Sequence, residues 1–271
     1  MNARSITLVY YSPTGTTRRL LHAMANGLAP DSIEEIDLTP VASRQRDEIA
    51  VHGDMAIIGV PVYEERVPPV VEPLLPRLRG RGQPAVVVAV YGNVGPGIVL
   101  PQLSRACEVA RLHVVAGATL IGEHSFCHDA LGIARGRPDQ ADIAAATGFG
   151  TRVKQCLASI TGLHAHQSPS LPGKLPAIAR LLPRGIAKKF TASPRVDASS
   201  CTRCGACVVA CPAGAIDPGS LVINEKTCTR CFACVRACKD EARSITLKHS
   251  WLVRRFLGAA IVTRREPRLF L

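Results

Sequence analysis

The stretch that decides the organisation of this chain is a repeated run of cysteines. Residues 201–211 read CTRCGACVVAC and residues 228–238 read CTRCFACVRAC, so that an offset of 27 superposes the two copies. In each copy two residues separate the first three cysteines from one another, and three residues separate the third from the fourth. The first copy ends in Cys211-Pro212, and the second ends in Cys238-Lys239. The repeat indicates that the cysteines act in groups of four.

This spacing predicts two [4Fe–4S] clusters. A tight loop turns one sulfur inward every third residue, so that three thiolates wrap one face of an iron–sulfur cube. The fourth cysteine of each run follows a short helical turn and points at the other cube. One cluster is therefore predicted at Cys201, Cys204, Cys207 and Cys238, and the other at Cys228, Cys231, Cys234 and Cys211.

Two other uses of cysteine fit the pattern less well. Disulfide frameworks belong to small secreted domains, whereas residues 1–5 lead straight into the apolar run 6–11 without a secretory signal. Structural zinc prefers CxxC pairs that are separated by a longer spacer. We expect Cys107, Cys127 and Cys156 to be small buried apolar side chains. Thiolates kept for cluster assembly favour a reducing compartment and predict a cytoplasmic protein.

The stretch resembles the 2[4Fe–4S] ferredoxin family over about residues 195–248. One position departs from the pattern of that family, because Lys239 stands where a proline would follow the fourth cysteine. A cation near a cluster favours the reduced, more anionic state. Lys239 is therefore expected to raise the reduction potential of the cluster that Cys238 ligates.

The N-terminal half alternates apolar strand-like runs with helix-like stretches. The strand candidates are residues 6–11, 33–37, 55–60, 85–91 and 113–121. The helix candidates are residues 15–29, 68–79, 97–110 and 139–161. Such alternation predicts an α/β domain with a doubly wound parallel sheet. Ligands of these sheets bind beyond the carboxyl ends of the strands.

Three loops at the predicted carboxyl edge carry the chemistry of a binding site. The loop of residues 12–17, SPTGTT, offers backbone N–H groups, hydroxyls and a helix N-terminus, which together can hold a phosphate. The loops GVPVY at 59–63 and YGNVG at 91–95 each place a tyrosine beside a flexible turn, where a flat ring can stack. Taken singly, the first loop could be a simple helix cap and each tyrosine an ordinary core residue.

Together these loops resemble the flavodoxin family over about residues 5–160. The resemblance implies a five-stranded flavodoxin-like sheet that binds FMN, with the phosphate on residues 12–17 and the ring between the two tyrosine loops. The implied FMN-binding residues are Ser12, Pro13, Thr14, Gly15, Thr16, Thr17, Pro61, Val62, Tyr63, Tyr91, Gly92, Asn93 and Gly95. Typical flavodoxins are strongly acidic, whereas this half is near neutral.

Joined together, the two halves resemble the flavodoxin–ferredoxin fusion proteins of bacteria and archaea. The predicted parts are a flavodoxin-like domain at 1–161, a Pro-rich basic connector at 162–194, a small α+β ferredoxin-like domain at 195–248 and a basic, apolar tail at 249–271. We expect the connector to dock on the first domain rather than act as a loose tether, because it is too apolar for disorder. Its apolar residues are Leu171, Leu175, Ile178, Leu181, Leu182, Ile186 and Phe190.

The tail is too short to span a bilayer, and no transmembrane segment is expected. We favour a helix packed on the ferredoxin-like domain or the connector over a basic helix lying on a membrane surface.

Charge is concentrated in the second half of the chain. Residues 1–150 carry 13 Lys and Arg against 15 Asp and Glu, whereas residues 151–271 carry 20 against 6. Two oxidised clusters, each with a formal charge of about −2, leave this half basic. We therefore expect redox partner proteins with acidic surfaces, keep a membrane surface as a less favoured partner and expect no nucleic acid.

The predicted function is electron transfer between the clusters, FMN and an external redox partner. One alternative is a flavin-dependent reductase of a small molecule such as a quinone, fed by the clusters. Another is a redox-responsive binding protein. No NAD fingerprint or catalytic triad is present in the sequence, the histidines are scattered, and Glu64 and Glu65 are interpreted as solvated loop charges.

Overall fold

The computed structural model describes residues 3–127, 131–160, 162–163, 167–175 and 185–271. A six-stranded sheet forms the centre of the N-terminal domain. Its strands are β1 Ser5–Tyr10, β2 Ser32–Asp37, β4 Met55–Pro61, β6 Pro84–Tyr91, β7 His113–Ile121 and β8 Arg268–Phe270. A separate parallel pair joins β3 Ile49–Ala50 to β5 Leu78–Arg79.

The strand order of the main sheet is β2-β1-β4-β6-β7-β8. The first five strands in this order pair in parallel, and β8 alone runs antiparallel, against β7. Counted without β8, the parallel strands have the order 2-1-3-4-5, which is the flavodoxin-like arrangement. The predicted fold class is confirmed. The predicted strand limits agree with the observed ones to within a residue.

Helices cover both faces of the sheet. They are α1 Thr16–Leu28, α2 Val99–Val109, α3 Gln140–Ser159, α4 Ala187–Phe190, α5 Ala206–Val209, α6 Ala233–Arg236 and α7 Ser250–Val262. Residues of α1 and α3 pack in one apolar core, and residues of α2 pack in the core on the opposite face. Helices α1 and α2 thus lie on opposite faces of the sheet. Helices α1 and α3 lie on the same face and meet at Gly150, where a Cβ would lie 2.0 Å from the Met24 carbonyl oxygen.

The prediction of a helix over residues 68–79 is wrong. The segment forms turns, a short 3-10 helix at Leu75–Arg77 and then β5. Four prolines, at 68, 69, 73 and 76, interrupt the segment. Proline has no backbone N–H and clashes with the preceding turn, so its repeated use outweighs the apolar periodicity.

The two cysteine runs form similar loops, each ending in a short helix, α5 or α6. Arg203 and Arg230, which are equivalent positions, both have φ of 57°. The next equivalent pair, Gly205 and Phe232, also has left-handed backbone, with φ of 76° and 57°. The repeat in the sequence is therefore a repeat in the backbone.

Part of the connector lies on the flavodoxin-like domain. The side chain of Leu171 packs against the sheet at Gly117, where a Cβ would lie 2.3 Å from it. Farther along, the Glu64 carboxylate accepts hydrogen bonds from the backbone N–H groups of Gly185 (2.7 Å) and Ala187 (2.8 Å). Ile178, Leu181 and Leu182 of the predicted docking segment lie outside the described residues.

The tail contains the predicted helix and an unpredicted strand. Helix α7 buries Val253 and Ala260 in a cluster with Leu131 and Ile133 of the first domain, while Phe190 of the connector and Leu247 also pack there. The helix was expected to pack on the ferredoxin-like domain or the connector, and it packs on the flavodoxin-like domain as well. After α7 the chain adds β8 to the edge of that domain's sheet. Among the described residues, no helix is long and apolar enough to cross a bilayer.

Candidate functional site

A cavity of about 790 Å³ lies at the carboxyl edge of the sheet. Its size is within the range of small-molecule and cofactor pockets. Eleven of the thirteen predicted FMN-binding residues line it, namely Ser12, Pro13, Thr14, Thr16, Thr17, Pro61, Val62, Tyr63, Tyr91, Gly92 and Gly95. The structure therefore brings the three predicted loops together at one place.

The first loop is shaped to present N–H groups to the cavity. Gly15 precedes α1 with a φ of 78°, a conformation that glycine adopts without strain. The Arg18 N–H donates to the Ser12 hydroxyl (3.1 Å), and the Thr14 and Thr16 hydroxyls lie 3.3 Å apart. Gly15 has no side chain to cap α1, and only the Arg18 N–H of the first turn is engaged by Ser12, so the N–H groups of Thr16 and Thr17 remain available to an anion. This chemistry fits a phosphate group.

The cavity has a polar end at this loop and aromatic and aliphatic walls elsewhere. Tyr63 and Tyr91 line it from the two other predicted loops. Burial raises the pKa of Tyr63 well above its usual range, and it raises the pKa of Tyr91 as well. Both phenols therefore stay neutral and can pack against an uncharged ring. The cavity thus suits a ligand that carries a phosphate at one end and a flat apolar body at the other.

Two predicted residues have other roles. Gly15 shapes its loop without lining the cavity. Asn93 is buried and fastens the tail, because its amide donates to the carbonyl oxygens of Ala260 (2.8 Å) and Thr263 (2.6 Å). Its side-chain oxygen also accepts from the Arg265 N–H at 3.1 Å. The sequence suggested that this turn binds a ligand. At Asn93 it binds the C-terminal tail instead.

The interpretation of Glu64 and Glu65 as solvated charges is wrong. Both line the cavity and both have positive φ, 51° and 63°. Glu64 binds the connector, as described above. The Glu65 side chain has a buried oxygen without a hydrogen-bond partner, and burial raises the pKa of its carboxyl group. A run of two acidic residues in a loop gave no sign of these contacts.

A further loop, residues 122–126, also lines the cavity and was not predicted from the sequence. Burial lowers the pKa of His124 to about 4, so its imidazole is neutral near pH 7. Its Nδ1 accepts from the Phe126 N–H at 3.0 Å, and the two rings are 5.0 Å apart. The position after the fifth strand was the one available signal for this loop.

The remaining wall of the cavity comes from outside the first domain. Helix α7 contributes Val253 and Leu257, and the connector contributes residues including Ile186 and Phe190. The loop of the second cysteine run contributes residues 226–231, which include Cys228 and Cys231. The predicted flavin pocket and one predicted cluster site are therefore direct neighbours.

We call Cys211, Cys228, Cys231 and Cys234 the inner cysteine set. All four line one small cavity of about 20 Å³, although Cys211 belongs to the other run. Burial, together with the neighbouring cysteines of the set, raises the pKa of Cys231 to about 11 and that of Cys234 to about 12. Negative charge on these buried, adjacent sulfurs is unfavourable unless a cation lies beside them. Iron ions would supply that positive charge, so the set suits an iron centre.

Unsatisfied donors surround this set. Over the described residues, six of the eight buried side-chain polar atoms without a hydrogen bond belong to Thr229, Arg230 and Arg243 of the cysteine-rich domain or to Tyr11 and Arg44. They are the Tyr11 hydroxyl, Nε and Nη2 of Arg44, the Thr229 hydroxyl, Nη1 of Arg230 and Nε of Arg243. Tyr11 interacts electrostatically with Cys231, Cys211 and Arg44. Such groups are costly to bury unpaired. An anionic cluster with sulfur acceptors would supply partners for them, so the surroundings fit this group.

We call Cys201, Cys204, Cys207 and Cys238 the outer cysteine set. Cys204 is exposed, and the other three are half-buried. The Thr202 hydroxyl donates to the Asp240 carboxylate at 2.6 Å, which holds the loop of the first run next to the segment after Cys238. Among the described residues, no three His, Cys, Asp or Glu side chains are arranged to hold a single metal ion. A cluster spreads its ligands over several irons.

Comparisons with known proteins found one matching family model and several similar solved structures. Residues 193–239 match a family model described as a 4Fe-4S dicluster domain. The chain is also similar in structure to a flavodoxin from the domain Archaea, with 13% identity over 57% of this chain and 99% of that one, at a TM-score of 0.36. A flavodoxin from Streptococcus pneumoniae TIGR4 gives 16% identity over 58% and 99%, at a TM-score of 0.40.

A WrbA-like flavodoxin from Agrobacterium tumefaciens gives 15% identity over 56% of this chain and 96% of that one, at a TM-score of 0.37. No curated protein matches the chain. The assignment of the first domain rests on its strand order. The chain therefore combines a domain with a flavodoxin-like strand order and a segment that matches a 4Fe-4S dicluster domain. Both parts of the predicted resemblance are found at the level of fold and family model, and the dicluster domain supports a role in electron transfer.

Proposed function

We propose that this fusion protein carries electrons between two [4Fe–4S] clusters and FMN, and exchanges them with a redox partner protein. One observation carries the proposal. Cys228 and Cys231 line the same cavity as the SPTGTT loop and the two tyrosine loops. A cluster on the inner set and a flavin in the cavity would therefore be neighbours, and an electron could pass between them without domain movement.

FMN is the flavin that the first loop favours. Residues 12–17 would hold one terminal phosphate by N–H groups and hydroxyls, and Tyr63 and Tyr91 would flank the ring. The basic side chain nearest in sequence is engaged elsewhere, since Arg18 forms an ion pair with Glu35 at 2.7 Å. When bound, FMN accepts one or two electrons, whereas an iron–sulfur cube passes one. The connector and α7 would keep water away from the ring.

The two predicted ligand sets would then have different tasks. The inner set would exchange electrons with the flavin, because it borders the cavity. The outer set would exchange electrons with the partner, because Cys204 is exposed. The basic balance of residues 151–271 favours a partner with an acidic surface. The need to keep eight thiolates reduced for cluster assembly favours the cytoplasm.

Anaerobic purification followed by cofactor analysis tests the proposal. We expect about eight iron, eight inorganic sulfide and one FMN per chain, in keeping with two cubes and one flavin. Thr14→Val should strip the flavin and leave the iron content unchanged, because it removes a hydroxyl from the loop. Thr151→Val, on α3 away from the cavity, is the matched control and should keep both cofactors.

Two results would contradict the proposal. Zinc in place of iron, or about four iron per chain, would rule out two cubes. If riboflavin, which lacks the phosphate, binds tightly and Thr14→Val does not weaken that binding, residues 12–17 do not hold the flavin by its phosphate.

A further inference from the structure

The unpaired donors around the inner cysteine set do not all belong to the ferredoxin-like domain. Thr229, Arg230 and Arg243 do, but Tyr11 and Arg44 belong to the flavodoxin-like domain. Tyr11 follows β1, and Arg44 lies in a 3-10 helix at Val41–Gln45. The second domain's metal site is therefore bordered by side chains of the first.

Arg44 is held in position by its backbone while two of its side-chain donors remain unused. Nη1 of Arg77 donates to the carbonyl oxygens of Arg44 and Arg46, both at 2.9 Å. The same 3-10 helix touches the loop after Cys211, because the Val41 side chain lies 3.4 Å from the position of a Cβ on Gly214. The buried Nε and Nη2 of Arg44 have no hydrogen-bond partner.

Tyr11 contacts a cavity-lining residue, Tyr63, and is also near cysteines of the inner set. It is fully buried, and its ring meets that of Tyr63 edge to face at 6.4 Å. Its hydroxyl is close enough to Cys231, Cys211 and the guanidinium of Arg44 to interact electrostatically with each. It also lies near the Thr229 hydroxyl without completing a hydrogen bond. The unpaired Tyr11 hydroxyl therefore has two cysteines of the inner set and Arg44 in its neighbourhood.

We propose that Arg44 and Tyr11 donate hydrogen bonds to the sulfurs of the cluster at the inner set and thereby raise its reduction potential. This inference rests on the proposed function, since it requires that cluster. Reduction adds one electron and breaks no bond, and it takes the cube from a formal charge of about −2 to about −3. Hydrogen bonds and a nearby cation stabilise the reduced state more than the oxidised one. Both residues would act directly on the cluster, although they belong to the other domain.

In the described part of the chain, no unpaired buried side-chain donor comes from the loop of the first cysteine run. Thr202, which corresponds to Thr229, donates to Asp240, and Arg203, which corresponds to Arg230, donates to the Gly219 carbonyl oxygen. In the first copy of the repeat, Thr202 and Arg203 find hydrogen-bond partners within their own domain. Near the second copy, unpaired donors of the flavodoxin-like domain join those of Thr229 and Arg230. Substitutions of Arg44 or Tyr11 should affect one cluster only.

The test is a redox titration of the full-length, cofactor-loaded protein, followed by paramagnetic resonance under anaerobic conditions. In Arg44→Gln we expect the midpoint of the inner cluster to fall by enough to change its reduced-to-oxidised ratio about tenfold at a fixed potential, which corresponds to about 59 mV. Arg44→Lys, which keeps the charge, should shift it less. Arg46→Gln, exposed and two residues away, is the matched control and should leave both midpoints unchanged.

Repeating the titration in a Cys238→Ala background, where the inner cluster is expected to remain alone, assigns the signals. An unchanged inner midpoint at full iron content would overturn this inference and leave the proposed function intact. A wild-type protein without iron would instead contradict the proposed function. If Arg44→Gln loses iron, Tyr11→Phe decides, because it removes only a hydroxyl. A lower inner midpoint in that variant supports the inference, and an unchanged one overturns it.

Discussion

The two cysteine runs have almost the same sequence and the same backbone, and they lie in very different surroundings. Cys204 is exposed, whereas its counterpart Cys231 is 9% exposed and borders the cavity. Arg203 lies on the surface, whereas Arg230 is buried and pairs with Glu225. The two loops thus share one backbone, and the neighbouring domain sets how deeply each loop is buried.

The largest expected effect comes from removing one crossed ligand from each set. Cys211→Ala should damage the inner cluster, although Cys211 lies in the first run, and about four of about eight iron should be lost. Electron transfer from an external one-electron reductant to the flavin should then be nearly abolished, because the cluster beside the cavity is missing. Iron analysis and stopped-flow flavin absorbance measure the two effects.

Cys238→Ala is the matched variant for the outer set. It should lose a similar amount of iron, but transfer from a small reductant to the flavin should continue, because the inner cluster remains. If the two variants lose flavin reduction equally, the division between an inner and an outer set does not hold. If Cys211→Ala removes the signals of the first run's own cluster, the crossed ligation is wrong.

The next prediction concerns the position where the two runs differ most. Phe232 takes the place of Gly205, is 2% exposed, and meets Phe126 of the other domain edge to face at 5.9 Å. Loss of a buried Phe costs about 3–5 kcal/mol, and relief of its left-handed backbone returns about 1–2 kcal/mol. Phe232→Gly should therefore lower the free energy of unfolding by about 2–3 kcal/mol.

Anaerobic urea unfolding of the loaded protein measures this change. The control is Gly205→Ala in the outer loop, where a Cβ meets no atom within 4 Å. Its cost should be limited to backbone strain, about 1 kcal/mol. Equal losses in the two variants would mean that Phe232 adds nothing across the domain boundary.

The smallest predicted effect is a pH dependence of the free energy of unfolding. It arises from His124, which lines the same cavity as Cys228 and Cys231 of the inner set. His124 has a pKa of about 4 in the folded protein, because burial disfavours its charged form, against about 6.5 when unfolded. The unfolded chain therefore binds more protons between these values, and stability is lost as pH falls through this window. Between pH 7.5 and pH 5 the loss should be about 2 kcal/mol.

The measurement compares the pH dependence of thermal unfolding in the wild type and in His124→Gln, which should lack this component. His52→Gln, an exposed histidine on the first domain, is the control and should retain the wild-type dependence. An identical dependence in the wild type and His124→Gln would show that the imidazole can be protonated in the folded protein.

The parts of the fold that were predictable from sequence are those with local causes. Apolar runs predicted four of the five parallel strands, the exception being the half-acidic β2. Small polar residues after the first strand identified the loop before α1. Cysteine spacing was sufficient to group Cys211 with Cys228, Cys231 and Cys234, which line one cavity. Each of these signals depends on residues close together in the chain.

What could not be predicted depends on contacts between distant segments. Nothing in the sequence near Asn93 or Glu64 indicates that the first binds the tail and the second binds the connector. The unpaired donors of Arg44 have no sequence signature at all, because their significance lies in what they face. Periodicity misled only where prolines, at 68–76, removed the backbone donors that a helix needs.

Strand β8 has a consequence for the order in which the protein can be assembled. It covers the edge of β7, yet it follows the entire ferredoxin-like domain along the chain. During synthesis the first domain must therefore wait with an open sheet edge, which is the kind of surface that pairs with other chains. Closure comes only once the second domain has emerged, so a nascent chain that stalls before β8 would stay exposed to aggregation and to quality control.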